Sequence, residues 1–233
     1  MYRDLVVEAK WVQGCKTRGA LWIHDGKVQR PHALLTSGNH SSGFFNGSLV
    51  VEDVILLEMA AFDLICKLEK AGLDLHSVDR VVGPALGAIE LAHAVARGIS
   101  HHRSRGGRRD MRVGCKSAFT EKEGEGAGKT MVFKKRPIKE WERVLAVEDV
   151  LTTGGSVEAT ISAIEKAGGI PLPFIGLLVN RSGLKEVGGR KLVALIDRAM
   201  PMWVPEDCPL CKAGSEAIRA KGENWARLNA EYV

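Results

Sequence analysis

The run from Arg143 to Ser156, RVLAVEDVLTTGGS, holds the densest group of side chains that could do chemistry. An apolar, strand-like segment ends in two adjacent acids, Glu148 and Asp149, and hydroxyls and glycines that open a helix follow. The loop after a parallel strand lies at the carboxyl edge of its sheet, where open α/β folds bind ligands. The run therefore predicts a ligand site made by a strand, a loop and the start of a helix.

The loop residues suit a phosphate group. Gly154 and Gly155 let the backbone approach a ligand closely, and the unpaired N–H groups of a helix start favour an anion. Thr152, Thr153 and Ser156 add hydroxyl donors. Two carboxylates would repel a bare phosphate, so we expect a sugar whose hydroxyls meet the acids, with a divalent cation nearby. The alternative is a turn without a ligand, and a Walker loop is excluded because no Gly-Lys-Ser/Thr follows.

The composition indicates an ordinary globular protein. The 233 residues are 45% hydrophobic and 26% charged, which fits one domain with a small appended lobe. No run approaches the roughly 20 apolar residues that span a bilayer, and the N-terminus lacks a signal peptide, so we expect a cytoplasmic location. Much of the net charge of +5 lies in the basic run His101–Arg112. That run lacks aromatics, which favours a solvated loop over a nucleic-acid arm.

The five cysteines do not form an obvious framework. Cys15, Cys66 and Cys115 are scattered, and we expect reduced thiols. Cys208 and Cys211 form a CPLC pair, but a structural zinc site normally needs four ligands. No second Cys pair exists, and His101 and His102 are adjacent, so a turn at Pro209 or a redox-sensitive pair is preferred to zinc.

Short runs of Val, Leu and Ile alternate with amphipathic stretches, which predicts an α/β fold with a parallel twisted sheet flanked by helices. The predicted strands are Val81–Val82, Arg112–Phe119, Arg143–Val147, Phe174–Val179 and Lys191–Ile196. The predicted helices are Asp53–Ala71, with Val54, Leu57, Ala61, Leu64 and Leu68 on one face, then Ala88–Arg97 and Ser156–Ala167.

Three regions follow from this pattern: an irregular or mixed N-terminal segment at 1–50, a core at 51–200 and a proline-containing tail at 201–233. Inside the core, the glycine-rich and charged segment Glu121–Lys135 predicts a mobile loop or a flexible hairpin. Long loops in compact α/β domains often have a function.

The sequence VLAVEDVLTTGGS resembles the phosphoribosyl pyrophosphate (PRPP) signature of type I phosphoribosyltransferases. The resemblance implies that family's fold, with residues 1–50 and 201–233 forming a small hood over the core. It also implies that Glu148 and Asp149 hold the ribose hydroxyls, and that the loop from Val150 and Leu151 through Thr152, Thr153, Gly154, Gly155 and Ser156 binds PRPP through its 5′-phosphate. Any contact of Asp149 with metal would be indirect, through the ribose and pyrophosphate.

Further matches resemble the orotate subfamily. The run from Leu35 to Gly38, followed by Phe44 and Phe45, is similar to a segment whose paired aromatics contact the base, with core packing as the alternative for either ring. The run Val81–Ile89 resembles the pyrophosphate loop, which would place Leu86 and Gly87 against PRPP. Arg181 matches an arginine that pairs with the carboxylate of the base, and an exposed arginine without a ligand is the alternative. Thr152 is also expected at the base.

The resemblance has departures where the family carries basic residues. Thr36 and the Leu86–Gly87 position stand where lysines are expected. In the mobile loop, an ungapped match gives Glu121, Lys122, Glu125 and Ala127, so Lys122 alone is kept as a catalytic and PRPP-binding cation beside the catalytic Asp149. Lys129, Lys134 and Lys135 are substitutes if the loop alignment contains a gap.

The family resemblance implies an enzyme that transfers the phosphoribosyl group from PRPP to a nucleobase, preferably orotate, with Mg²⁺, as a homodimer whose mobile loop reaches across the interface. A non-catalytic PRPP-binding regulator is the alternative, because basic residues are missing from the loop. A third hypothesis is the same reaction on a purine or another base, since Thr36 alters the base pocket.

Overall fold

The computed structural model describes residues 2–104, 114–124 and 130–232. The helices are α1 (Tyr2–Thr17), α2 (Ser48–Val51), α3 (Val54–Lys70), α4 (Ile89–Ser104), α5 (Gly155–Lys166), α6 (Pro209–Lys212) and α7 (Asn224–Asn229). The strands are β1 (Leu21–Ile23), β2 (His32–Leu34), β3 (His40–Ser41), β4 (Gly43–Phe45), β5 (Arg80–Pro84), β6 (Lys116–Glu123), β7 (Thr130–Val132), β8 (Arg143–Leu151), β9 (Ile170–Asn180), β10 (Glu186–Val187), β11 (Arg190–Asp197), β12 (Met202–Trp203) and β13 (Ala217–Arg219).

The core of the described chain is a seven-stranded sheet in the order β10-β11-β9-β8-β5-β6-β7. The central strands β11, β9, β8, β5 and β6 are parallel, and the short edge strands β10 and β7 are antiparallel to their neighbours. Because the central strands are covered by helices on both faces, their middle residues are almost continuously apolar and buried. The predicted α/β fold class is confirmed.

Local signals place the helices close to their predicted bounds. The Asp53 side chain accepts a hydrogen bond from the Leu56 N–H at 3.0 Å and so caps the start of α3. The helix ends just before Gly72, which has a positive φ. The face formed by Leu57, Ala61, Leu64 and Leu68 is buried as predicted. Val54 is an exception, because it lies exposed in the first turn.

The N-terminal segment contains a helix that the sequence pattern did not predict. Val7, Trp11 and Cys15 recur every four residues along α1, and Trp11 and Cys15 are buried in the main core. The Trp11 Nε1–H also donates a hydrogen bond to Asp63 on α3 at 2.9 Å. The segment expected to be irregular or mixed is thus a mixture of one long helix and short strands, and the helix was missed because its apolar stripe is narrow and interrupted by charged residues.

The N-terminal segment and the tail meet in a second sheet of four strands, β12-β3-β2-β13. Strand β13 pairs parallel with β2, and β12 pairs antiparallel with β3, while β1 and β4 form a separate pair. We call this unit, with α6 and α7, the hood. Within the described residues, no helix is both long and apolar enough to cross a membrane.

Candidate active site

The two acids of the predicted site lie at the carboxyl end of β8, in the centre of the sheet. Glu148 is 8% exposed and Asp149 is half-buried. Burial, and then the neighbouring Asp149 carboxylate, raise the pKa of Glu148 to about 8, although the Lys122 ammonium opposes both effects. Burial also raises the pKa of Asp149, although the backbone N–H groups of Val150 and Asp149 oppose it. Within the described part of the chain, this acid pair is short of positive charge.

Two glycines from different segments pack closely against the Asp149 carboxyl. A Cβ atom added to Gly47, just after β4, would lie 2.7 Å from Asp149 Oδ2, and one added to Gly87 would lie 2.6 Å from the same oxygen. Real Cβ atoms do not approach this closely, so a larger residue at either position would force the Asp149 side chain to move. The segment after β4, the loop after β5 and the end of β8 therefore converge on this carboxyl.

The loop after β8 has the geometry that the sequence predicted. Gly154 adopts a left-handed conformation with φ 90° directly before α5, which glycine tolerates best. Thr152, Thr153 and Gly155 are exposed around it. Gly155, the first residue of α5, is thus exposed at this edge of the sheet, and the N–H groups of a helix start favour an anion.

The remaining loop residues differ in what they offer a ligand. Ser156 is half-buried in the first turn of α5, and Val150 is half-buried in the strand. Leu151 is fully buried, so its side chain packs against the core and cannot contact a ligand. Its carbonyl instead accepts a hydrogen bond from the Arg181 backbone N–H at 3.1 Å.

The predicted pyrophosphate loop follows β5 at the same edge of the sheet. Leu86 and Gly87 are both exposed, and the Ala85–Leu86 peptide is cis. The Ala85 N–H donates to the Thr120 carbonyl of β6 at 2.7 Å, which ties the loop to its neighbouring strand. The loop offers backbone groups to a ligand, with no lysine at its tip.

The segment Glu121–Lys135 forms a hairpin where the structure describes it. Strands β6 and β7 pair antiparallel, with Lys122 opposite Met131. Lys122 is exposed, and its ammonium acts electrostatically on Glu148. Glu125, Ala127 and Lys129 lie outside the described residues. Lys134 forms an ion pair with Glu123 at 3.6 Å.

Arg181 lies immediately after β9 and is 6% exposed. One terminal nitrogen donates to Ser41 Oγ at 2.8 Å and to the carbonyls of Gly43 and Met200, both at 3.3 Å. Its buried Nε has no hydrogen-bond partner, and burial lowers the pKa of the guanidinium. The alternative of an exposed arginine was therefore wrong.

The two phenylalanines of the predicted base segment differ in their surroundings. Phe45 is buried in the main core, so the core-packing alternative describes it best. Phe44 points the other way along β4 and makes an edge-to-face contact with Trp225 at 6.1 Å between ring centroids. Phe44 is half-buried, and Thr36 is exposed in the turn between β2 and β3.

Comparison with known proteins agrees with this geometry. The sequence model of the phosphoribosyl transferase domain matches residues 57–187, more than half of the chain. The chain belongs to the phosphoribosyltransferase family. As a member of this family it is a pentosyltransferase, and the acid-and-glycine run at the end of β8 lies inside the matched region.

The relatives of this phosphoribosyltransferase are named orotate phosphoribosyltransferases. The protein from Pelotomaculum thermopropionicum is 32% identical over 86% of this chain and 93% of its own, and that from Thermus thermophilus is 33% identical over 83% and 94%. The crystal structure of orotate phosphoribosyltransferase from Aeropyrum pernix superposes with a TM-score of 0.57 at 26% identity, covering 79% of this chain and 92% of that one.

Sequence reasoning missed two features of the phosphoribosyltransferase site. Ser41 is buried and accepts a hydrogen bond from Arg181, and Gly47 packs against Asp149. Both residues lie close to Phe44 and Phe45, so proximity to that pair was the one available signal. Their contacts join residues that are about 100 or more positions apart, which no local pattern encodes.

Proposed function

We propose that the protein transfers the 5-phosphoribosyl group of PRPP to orotate and releases pyrophosphate. The observation that carries the choice of base is Arg181, a buried guanidinium whose Nε lacks a partner beside the PRPP loop. Among the described residues, the ion pairs do not include Arg181. A planar carboxylate on the base would supply the missing anion, and orotate carries one.

The acid pair and the loop have complementary tasks toward PRPP. The carboxylates of Glu148 and Asp149 accept hydrogen bonds from the ribose hydroxyls. The hydroxyls of Thr152, Thr153 and Ser156, with the N–H groups around Gly155, donate to the 5′-phosphate. The backbone at Leu86 and Gly87 lies against the pyrophosphate. This division leaves the anomeric carbon between the two loops.

Mg²⁺ fits this edge of the sheet because the available donors are oxygens and two adjacent carboxyls face the single described ammonium of Lys122. When bound, it would neutralise charge on the leaving pyrophosphate. Asp149 would interact with it indirectly, through the ribose and pyrophosphate. The protein's own contribution is to hold the sugar so that the base and the leaving group lie on opposite sides of the reacting carbon.

Charge on the leaving group must also be met by cations of the protein. Among the described residues, Lys122 is the cation best placed to stabilise the leaving pyrophosphate, because it is exposed on β6 and its charge lowers the pKa of Glu148. Glu121 stands where the family carries a basic residue. We therefore expect slower turnover than a fully basic loop would support.

The experiment measures orotate consumption and pyrophosphate release with PRPP and Mg²⁺, and repeats the assay with uracil, adenine and hypoxanthine. Orotate is expected to be the preferred base. Uracil, which lacks the carboxylate, is the matched comparison. Turnover of a purine with none of orotate would contradict the proposal. PRPP binding without turnover of any base would support the regulatory alternative instead.

Arg181→Met tests the recognition of the base separately from PRPP binding. We expect kcat/KM for orotate to fall by roughly 100-fold, since a charge-assisted pair contributes about 1.5–3 kcal/mol. The affinity for PRPP, measured by calorimetry without base, should change little. An equal loss of both would show that Arg181 supports the pocket rather than the base.

The family resemblance also supports a homodimer. Val54, Ile55, Met59 and Phe62 are exposed apolar side chains on α3, a pattern typical of surfaces that associate. Cys15, Cys115, Cys208 and Cys211 are free thiols, and a reducing compartment such as the cytoplasm suits a chain with such side chains.

A further inference from the structure

Four metal-ligating side chains meet in the hood, away from the PRPP loop. His32 on β2 and His40 on β3 face Cys208 and Cys211, which lie at the start and inside of α6. One ligand atom from each side chain can be chosen so that all four lie within 4.8 Å of one another. His32 and Cys208 are fully buried, and His40 is nearly so.

Four of the six distances between these atoms are close to the edge lengths of a tetrahedron around a small cation. His32 Nε2 lies 3.1 Å from His40 Nδ1, 3.4 Å from Cys208 Sγ and 3.5 Å from Cys211 Sγ. Cys211 Sγ lies 3.2 Å from His40 Nδ1. Zinc bonds of about 2.0–2.1 Å to nitrogen and about 2.3 Å to sulfur give tetrahedral edges of roughly 3.3–3.6 Å for pairs that include a nitrogen and about 3.8 Å between two sulfurs.

A neighbouring serine determines which nitrogen of His32 carries the proton. Ser215 Oγ donates its hydrogen to the Arg30 carbonyl at 2.7 Å, because a carbonyl can only accept. It must therefore accept from His32 Nδ1–H at 2.9 Å. The Nε2 lone pair consequently points at His40, Cys208 and Cys211. Fixing a metal-binding tautomer in this way is the usual role of such a partner.

Hydrogen bonding alone does not account for this arrangement. The single lone pair of His32 Nε2 faces His40, Cys208 and Cys211. It can accept a well-aligned hydrogen bond from one of these three groups. Thiols are weak donors, and water is excluded from His32 and Cys208. A cation at the centre would satisfy all four groups together.

We propose that His32, His40, Cys208 and Cys211 bind a structural zinc ion. Two thiolates and two imidazoles in a closed tetrahedral set are a typical zinc ligand set. The site joins the hairpin of β2 and β3 to the tail, two parts of the chain that are about 170 residues apart. The sequence favoured a turn or a redox-sensitive pair for Cys208 and Cys211. The structure adds two histidines as further ligands, which the sequence pattern did not indicate.

The zinc site lies next to the residues that surround Arg181. Ser41, adjacent to His40, accepts from Arg181 and donates to the Pro201 carbonyl at 2.7 Å. Loss of the metal is therefore expected to loosen the base end of the pocket. The PRPP loop belongs to the other sheet and should be less affected.

The test is the metal content of the full chain, purified under reducing conditions without a metal-affinity column. Elemental analysis should give about one zinc per chain, and Cys211→Ser should reduce it well below half. Cys66→Ser, which alters an exposed thiol outside the cluster, is the matched control and should retain the metal. Exchange with Co²⁺ should give the visible spectrum of a tetrahedral site with two thiolates, and Cys211→Ser should alter that spectrum.

Chelation supplies a readout that is independent of mutagenesis. Removing the zinc should lower the melting temperature by roughly 10 °C, and adding one equivalent back should restore it. A reduced wild-type chain that neither contains zinc nor binds it on titration would overturn the proposal. So would a Cys208–Cys211 disulfide that persists in the chain purified under these reducing conditions, because it removes both thiolates.

Discussion

At the scale of single residues, Asp149 is the side chain on which PRPP binding depends most. It ends a strand, is half-buried, and is in contact with Gly47 and Gly87. Asp149→Asn preserves the shape and removes the negative charge. We expect the Kd for PRPP to rise by roughly tenfold or more, since hydrogen bonds to a charged group contribute about 1.5–3 kcal/mol. The measurement is titration calorimetry with PRPP and Mg²⁺.

The thermal stability of Asp149→Asn should stay close to that of the wild type, because the removed charge is a desolvated one. Asp197→Asn is a suitable control, since Asp197 pairs with Lys185 in an exposed ion pair. An Asp149→Asn protein that binds PRPP with unchanged affinity would show that the ribose lies elsewhere.

Glu148 leads to a prediction about pH. Burial and then Asp149 raise its pKa to about 8, so the carboxyl is largely protonated at neutral pH without a ligand. Ribose hydroxyls favour the ionised form, so PRPP binding should release a proton and strengthen as pH rises towards 8. Calorimetry in buffers of different ionisation enthalpy measures that proton. Glu148→Gln should abolish the Glu148-dependent release, and identical proton release in both proteins would contradict the assignment.

The raised pKa of Glu148 also makes the stability of the fold depend on pH. The unfolded carboxyl loses its proton near 4.5, whereas the folded one keeps it until about pH 8. Its contribution to stability is therefore full below pH 4.5 and declines as the pH rises through 8. Glu148→Gln should remove this decline. The melting temperature of the variant minus that of the wild type should therefore increase as the pH rises.

At the scale of secondary-structure elements, the amino ends of β5 and β8 are joined by a buried ion pair. Arg80 donates from Nε and a terminal nitrogen to the two oxygens of Glu142, at 2.8 and 2.9 Å. Although burial opposes it, the hydrogen bond from Arg80 leads the interactions that lower the pKa of Glu142 to about 2. This contact lies at the opposite end of the strands from the acid pair, so its role is structural.

Arg80→Met should destabilise the fold by about 3 kcal/mol, because it leaves the buried Glu142 carboxylate with Lys116, at 3.4 Å, as its remaining cationic partner among the described residues. Chemical denaturation measures the loss. The double variant Arg80→Met with Glu142→Gln should recover part of it, since Gln can still accept from the Lys139 N–H. The pair's contribution is present above pH 4.5 and is lost as the pH falls towards 2. A single variant as stable as the wild type would contradict this interpretation.

At the scale of the whole molecule, apolar side chains exposed on α3 indicate where two copies of the chain would form a dimer. Ile55 and Phe62 place apolar side chains in solvent on this helix. If they meet a second copy, Phe62→Glu should convert a dimer into a monomer, as sedimentation velocity would show. Ile170→Glu changes an exposed apolar residue on β9 and should leave the dimer intact. A wild-type chain that sediments as a monomer at micromolar concentration would exclude this interface.

The division of the chain into 1–50, 51–200 and 201–233 remains a prediction. The first and last of these segments share a sheet through the pairs β2–β13 and β3–β12. The hood is thus built from both ends of the chain, and we expect it to respond as one unit to loss of the zinc ligands.

The sequence by itself determined the central strands, the principal helices that follow them and the order of acids, hydroxyls and glycines after β8. These features depend on local spacing: apolar runs predict buried strands, and glycines predict where the backbone turns. Their placement at one edge of a parallel sheet follows from general rules of α/β topology. The residues from Glu148 to Ser156 could accordingly be predicted as a ligand site from local sequence alone.

Tertiary structure alone decided which distant residues meet. It buried Phe45, left Arg181 Nε without a partner, and placed Gly47 against Asp149. It also brought His32 and His40 to the CPLC pair through the pairing of strands from opposite ends of the chain. No local pattern encodes such contacts, because they depend on the register and packing of elements that are far apart in sequence.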